Sequence, residues 1–229
     1  PSSFLGAWAE NDKIRTDGAR NLVDAALAAG AGRYVQVSVG LLYADGGDQW
    51  LDEDAPVEPT AVTRSALAAE AQAARVSDAG GAGVVLRFGQ FYSADSDHSR
   101  SFVRLVRRRL APVLGKRSNY LSSIHADDAA RAVVAALELP AGVTNVGDDQ
   151  PLTRQAYAEA VATAVGSKSL HFFGEATARM AGKKADALTR SQRISNRRLR
   201  AAGWAPIYPS AREGWAAVVA DLQESVPHG

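Results

Sequence analysis

Apolar positions recur at helical spacing from about Asn11 to Gly30: Ile14, Leu22, Val23, Ala26 and Leu27 form one stripe, and Gly30 and Gly32 supply the stop. Arg33 to Val39 follows as a β-branched run of strand length. A turn-rich, acidic loop occupies Gly40 to Pro59. A second helix spans about Thr60 to Ala79, with Val62, Ala66, Ala69, Ala73 and Val76 on its apolar face and Gly80-Gly81 at its end. Val84 to Phe88 reads as a second strand. Helix, strand, helix, strand with short connections predicts parallel βαβ packing. Residues 1–10 read as a loop-like lead-in containing Trp8.

Beyond Tyr92 the pattern changes. Ser93 to Arg100 is a polar loop, and Ser101 to Leu110 a basic helix. Leu121 to Ile124 is a short segment leading into a helix from about Asp127 to Leu139, and Val143 to Gly147 has strand character. Two more helices are expected, Thr153 to Val165 with a stop at Gly166, and Ser210 to about Gln223, opened by Pro209 and a Ser210/Glu213 capping box.

Composition narrows the function classes. The chain has 229 residues, 46% apolar and 22% charged, with a net charge of +1. These are globular values, and the near-neutral charge argues against a general nucleic-acid binder. No apolar run approaches the roughly 18 residues of a membrane span, and no stretch reads as a signal peptide. With no Cys there is no disulfide framework, thiolate nucleophile or Cys-ligated metal. His98, His171 and His228 are scattered, so no three-His metal site is expected. A soluble cytoplasmic protein that holds or acts on something small is the expectation. The chain opens on Pro1 and its only Met is Met180, so either an initiator Met was removed or the start of a longer protein is missing.

Several segments, in order, resemble the extended short-chain dehydrogenase/reductase family, the NAD-dependent epimerase/dehydratases. Gly18-Ala19-Arg20-Asn21-Leu22-Val23 resembles that family's G-T-x-N-L-L helix, and Val37 to Tyr43 the strand ending S-S-x-x-V-Y-G. Asp52 to Pro56 is similar to the acidic turn before the active-site helix, and Leu86 to Tyr92 to the R-P-x-x-x-Y-G strand. Ile124 to Ala129 resembles F-V-H-V-D-D-V-A, Asn145-Val146-Gly147 the N-V-G strand, and Gly203 to Pro206 the G-W-x-P near the C-terminus. The resemblance implies an α/β fold: a partial Rossmann-like parallel sheet with a smaller, mostly helical substrate domain. Residues 1–92 would be the C-terminal half of the Rossmann-like core, and 93–229 a mixed substrate-binding region with returning core elements.

The departures from the family are specific. Members begin with a strand and a G-x-x-G-x-x-G loop that lets the cofactor pyrophosphate approach a helix N-terminus; no such fingerprint occurs here, and Gly80-Gly81-Ala82-Gly83 precedes a strand rather than following one. The resemblance starts just before the fourth helix, so the first four strands have no counterpart. Members also use Tyr and Lys in Y-x-x-x-K, with a Ser or Thr from the preceding strand, to move a proton and orient the substrate oxygen. Setting Arg64-Ser65-Ala66-Leu67-Ala68-Ala69-Glu70 against R-S-K-L-A-A-E places Val62 at the Tyr and Ala66 at the Lys. Val39 falls at the Ser/Thr position, with Ser38 one residue away and therefore on the other strand face.

The candidate catalytic residues are Tyr43, just past a parallel strand where open sheets place ligands, and His125, before Asp127 and Asp128. Candidate substrate contacts are Ser38, Arg87, Phe88 (at the family's Pro), Gln90 and Tyr92. Each has a structural alternative: Tyr43 as a packed aromatic, Arg87 as a buried ion pair with an acid of the 48–54 loop, His125 as a brace between domains, Asp127 and Asp128 as helix caps. Arg104, Arg107, Arg108 and Arg109 point several ways around a helix, which suits a solvated face first, and an anionic ligand or nucleic acid after it. Leu121-Ser122-Ser123 stands where nucleotide-sugar enzymes of the family often carry Arg, which disfavours a nucleotide-diphosphate sugar.

Three functions follow as expectations. The chain is part of an atypical NAD(P)-dependent epimerase/dehydratase-like protein acting on a small organic substrate, with NAD(P) held only in a longer form and no cofactor expected for this chain alone. Alternatively it is a cofactor-free cyclase, isomerase or small-molecule binding protein. The third reading is a non-catalytic partner subunit. Missing strands would bare an edge of the Arg33–Val39 strand, so a homodimer or another chain is expected to cover it.

Overall fold

The computed structural model describes residues 10–172 and 186–224; most of the expected lead-in, including Trp8, lies outside them. A π-helical turn, Ile14–Gly18, runs into helix α1, Ala19–Ala28, which ends at Gly30 with φ 67°. Strand β1 is Arg33–Val39, followed by the two-residue strand β2, Trp50–Leu51, helix α2, Arg64–Asp78, and strand β3, Ala82–Phe88. Then come β4, Gln90–Tyr92, α3, Asp97–Arg107, β5, Leu110–Ala111, β6, Tyr120–Leu121, and β7, Ser123–His125. Helix α4 is Ala126–Ala135, β8 Gly142–Val146, β9 Leu152–Thr153, α5 Arg154–Ala164 and β10 His171–Phe172. The chain closes with α6, Asp186–Thr189, β11, Arg193–Ile194, α7, Arg197–Ala201, and α8, Ala211–Glu224.

The fold is α/β with a Rossmann-like parallel sheet. Its strand order is β1-β3-β8, so β3 is central and buried along nearly its whole length. β1 and β3 pair in register from Arg33 with Ala82 to Val39 with Phe88. The Val-rich composition of β3 suits a strand covered on both faces. One covering layer is α2, whose Ala66, Ala69, Ala73 and Val76 are buried as its spacing predicts. Small residues bring its backbone close: a Cβ at Gly83 would collide with the Ala73 carbonyl. A core of Val84, Leu86, Phe88, Ile124, Ala132, Val146, Leu199 and Trp204 joins the sheet to α4 and the C-terminal segment.

A second core fills the helical region: Phe102, Val103 and Val106 of α3, Tyr157 and Val161 of α5, and Trp215 and Val218 of α8 meet around Tyr92. The Tyr92 and Trp215 rings stack at 5.2 Å. Helix α8 opens as its capping box predicts: Ser210 Oγ accepts from the Arg212 N–H at 3.1 Å, and Glu213 accepts from the Ser210 N–H at 3.0 Å.

Three expectations are corrected. Ile14 and Leu22, placed on the buried stripe of the first helix, are 63% and 62% exposed; α1 packs through Ala19 and Val23 instead. Asp127 and Asp128 do not cap α4. His125 does, accepting from the Asp127 N–H at 3.2 Å, while buried Asp128 accepts from the Ile207 and Tyr208 N–H groups. The basic helix begins earlier than expected, at Asp97, because Ser96 supplies its N-cap. No helix among the described residues is long and apolar enough to cross a membrane.

Candidate functional site

The carboxyl ends of β1 and β3 open onto a cavity of about 400 Å³, the end of an open α/β sheet at which ligands bind. Val39, Gly40 and Leu41 come from the end of β1, and Phe88 to Phe91 from the end of β3 and the start of β4. Phe102, Pro112, Val113, Leu114 and Leu121 form the side contributed by the helical region. Leu188, Gln192 and Ile194 return from near the C-terminus to complete it. The wall is largely hydrocarbon, so a bound molecule would gain by burying apolar surface, with a few polar groups left to orient it.

Those polar groups are Gln90, His98, Ser122, Arg154 and Gln192. Gln90 Nε2 lies 3.0 Å from His98 Nε2, near the exposed side of the cavity. Ser122 Oγ donates to the Gln192 carbonyl and accepts from the Ile194 N–H, both at 2.8 Å. Gln192 Nε2 donates to the Tyr43 carbonyl at 2.7 Å. Ser122 and Gln192 thus bind the C-terminal segment to the sheet. Arg154 Nη2 donates to the carbonyls of Leu188 and Arg190.

Of the residues expected at a site, Phe88 and Gln90 line the cavity; Ser38, Tyr43, Arg87, Tyr92 and His125 are not in its wall. These five build the support around it. Ser38 Oγ donates to Glu70 Oε1 at 2.5 Å, and Arg87 holds the same carboxylate through Nε at 2.9 Å and Nη2 at 2.7 Å. Arg87 therefore pairs with α2, not with the 48–54 loop: its side chain leaves β3 on the face that α2 covers. Its guanidinium lies 5.0 Å from the centre of the Tyr43 ring. The Tyr43 hydroxyl donates to Asn145 Oδ1 at 2.8 Å, and burial raises its pKa, an effect that Arg87 opposes.

Tyr92 belongs to the aromatic core, and burial drives its pKa strongly upward. His125 packs against Tyr92 and Tyr208, with ring centres 5.4 and 4.5 Å away. Burial lowers its pKa, which favours the neutral ring, and Nδ1 accepts the bond that caps α4. Val62 is half-buried in the turn before α2, and Ala66 is buried on its core face. Neither side chain can hydrogen-bond a ribose or carry a proton.

Sequence reasoning missed Ser122, Arg154, Gln192 and the Pro112–Leu114 wall. Their neighbours are far away along the chain, as in the Ser122–Gln192 contact across 70 positions. No local periodicity marks them.

Comparisons with known proteins agree with this architecture. Residues 8–147 match the model of the NAD dependent epimerase/dehydratase family. The chain is 34% identical over 219 residues to a 3-diazoavenalumate denitrifying reductase from a Streptomyces species, covering 91% of this chain and 72% of the relative. The structure is similar to human epimerase family protein SDR39U1 (isoform 2) with NADPH, at TM-score 0.86 and 20% identity over 97% of this chain and 77% of that one. It is also similar to a UDP-glucose 4-epimerase with UDP-glucose from Thermotoga maritima, at TM-score 0.77 and 17% identity over 95% of this chain and 72% of that one. With the parallel sheet, the cavity at its carboxyl ends and the matched family model together, the chain belongs to the NAD-dependent epimerase/dehydratase family, within the extended short-chain dehydrogenases/reductases.

Proposed function

We propose that the cavity is the substrate site of an atypical NAD(P)-dependent epimerase- or reductase-like protein of cytoplasmic small-molecule metabolism. The observation that carries this reading is the apolar cavity between the carboxyl ends of β1 and β3 and the helical region. The relative named as a reductase supports redox chemistry for the group. In this reading residues 1–92 are the second half of the Rossmann-like core and 93–229 the substrate-binding region. Phe88 and Gln90 contact the substrate. Ser38, Arg87 and Tyr92 position the walls, and Tyr43 and His125 are positioning residues too, since their polar atoms hold Asn145 and the start of α4.

The nicotinamide group fits the described residues poorly. Val62 and Ala66 offer only hydrocarbon, and the Ser38 hydroxyl is committed to Glu70. In this reading the dinucleotide cradle and the cover of the β1 edge come from beyond the described residues, as further strands or as a second chain. Titrating NADPH into the 229-residue protein by calorimetry tests this. Binding absent or far weaker than micromolar is expected; submicromolar binding overturns the reading.

A second reading, a cofactor-free binding protein or isomerase, is favoured by the same commitment of Tyr43 and Ser38 to internal bonds. Turnover of a small substrate with no nicotinamide present would select it.

A further inference from the structure

Three arginines among the described residues are buried: Arg87, Arg154 and Arg190. Two have carboxylates. Arg87 is paired with Glu70, and Arg190 lies 2.7 Å from Asp186 and 3.2 Å from Glu58. Arg154 is 5% exposed, lines the cavity, and has no carboxylate partner among the described residues. Its Nη2 is used by the carbonyls of Leu188 at 2.7 Å and Arg190 at 2.9 Å. Its Nε is enclosed and donates to no acceptor among the described residues.

Removing a guanidinium from water without a counter-charge is costly. Burial lowers the Arg154 pKa to about 10, with only the field of Asp45 opposing it. That carboxylate already accepts from the Gly47 and Ser191 N–H groups. Arg154 still carries its charge at neutral pH, in a largely hydrocarbon wall whose other polar residues, Gln90, His98, Ser122 and Gln192, include no carboxylate. The backbone at the start of α5 is no substitute for it. The N–H groups of Arg154, Gln155 and Ala156 are taken by the Asn119 and Arg117 carbonyls and by Thr153 Oγ1.

We infer that the cavity takes a largely apolar small molecule bearing one carboxylate, and that Arg154 is the counter-charge that receives it. The inference rests on the cavity being the ligand site. One guanidinium balances one negative charge, and with Nη2 committed to the two carbonyls, Nε–H and Nη1 are the donors left to meet a carboxylate oxygen. A phosphate dianion would leave charge uncompensated against Phe88, Phe102, Val113 and Leu121.

The test uses the 229-residue protein with 3-phenylpropanoate, its neutral amide 3-phenylpropanamide, and inorganic phosphate. Binding is followed by calorimetry and by the Arg Nε–H resonances. The acid is expected to bind at least about tenfold more tightly than the amide and to move the Arg154 Nε–H signal, which the amide leaves in place. Arg154→Met should bring the acid down to the affinity of the amide, and Arg154→Lys should keep part of the difference. Since Nη2 also anchors the Leu188–Arg190 backbone, each variant is melted first; if Arg154→Met does not fold, the acid–amide comparison and the Nε–H signal in the unaltered protein decide. Equal affinities with an unmoved Nε–H signal, or phosphate binding more tightly than the acid, overturn the inference. Leu114→Trp, which fills the cavity, separates the two levels. If it blocks acid and amide alike while their affinities are equal, the cavity reading stands and the carboxylate inference falls. If it blocks neither, the cavity reading itself falls.

Discussion

Glu70 shows how much a single carboxylate can organise when every donor around it is buried. Ser38 and Arg87 both bind it, and Arg87 in turn faces the Tyr43 ring. Glu70→Gln leaves the Arg87 charge buried without its partner and is expected to cost about 3–5 kcal/mol, whereas Glu70→Leu combined with Arg87→Met should recover most of that in urea unfolding. Asp148 is the opposite case. Ser123 Oγ donates to its Oδ2 at 2.8 Å, but Oδ1 is buried with no partner among the described residues, and desolvation raises the carboxyl pKa well above its ordinary value. The folded protein therefore binds this proton more tightly than the unfolded chain, so its contribution to stability falls as pH rises from the ordinary aspartate range towards the raised value. Asp148→Asn is expected to remove that decline and to raise the melting temperature at the alkaline end of the range. Ser38 and Arg87 were recognisable as candidates from the sequence, but not their bond to Glu70. It spans 32 and 17 positions and depends on how α2 lies across the sheet.

At the scale of elements, long periodic segments were legible. β1 has the bounds its β-branched run predicts, and α2, β3, β8 and α5 differ from their expected bounds by a few residues. The two-residue strands β2, β5 and β11 were not, because so short a pairing has no period of its own and is decided by the partner strand. Close approach between elements is also invisible in hydropathy. Gly83→Ala drives a Cβ into the Ala73 carbonyl, which is backbone and cannot swing away. A loss of about 1–3 kcal/mol in urea unfolding is expected, as for other overpacked sites. Gly214 poses a contest within α8. Ala is the better helix former by about 1 kcal/mol, yet its Cβ would meet the Tyr92 ring stacked on Trp215. The clash wins, because the ring is held by Phe102 and Tyr157 in the same core.

For the molecule as a whole, the unfinished side is β1. Among the described residues it pairs only with β3, and Val37 on it is 55% exposed. Such an edge invites another strand or chain. Light scattering after size exclusion should find the 229-residue protein associated, and Val37→Lys should weaken that association; a clean, well-folded monomer would contradict it. The family could be recognised from ordered motifs spread between Gly18 and Pro206, whereas the cavity could not, since it is assembled from short stretches scattered between Val39 and Ile194.

One contact governs how the chain is completed. The Tyr43 carbonyl receives bonds from Arg190 and Gln192, 147 and 149 positions later, and Leu51 pairs with Ile194. At 5–20 residues per second, a ribosome needs roughly 7–30 s to cover that distance. For that interval the nascent loop around Tyr43 waits for the segment that fixes it, and a chain stalled short of Arg190 would leave it open to proteases.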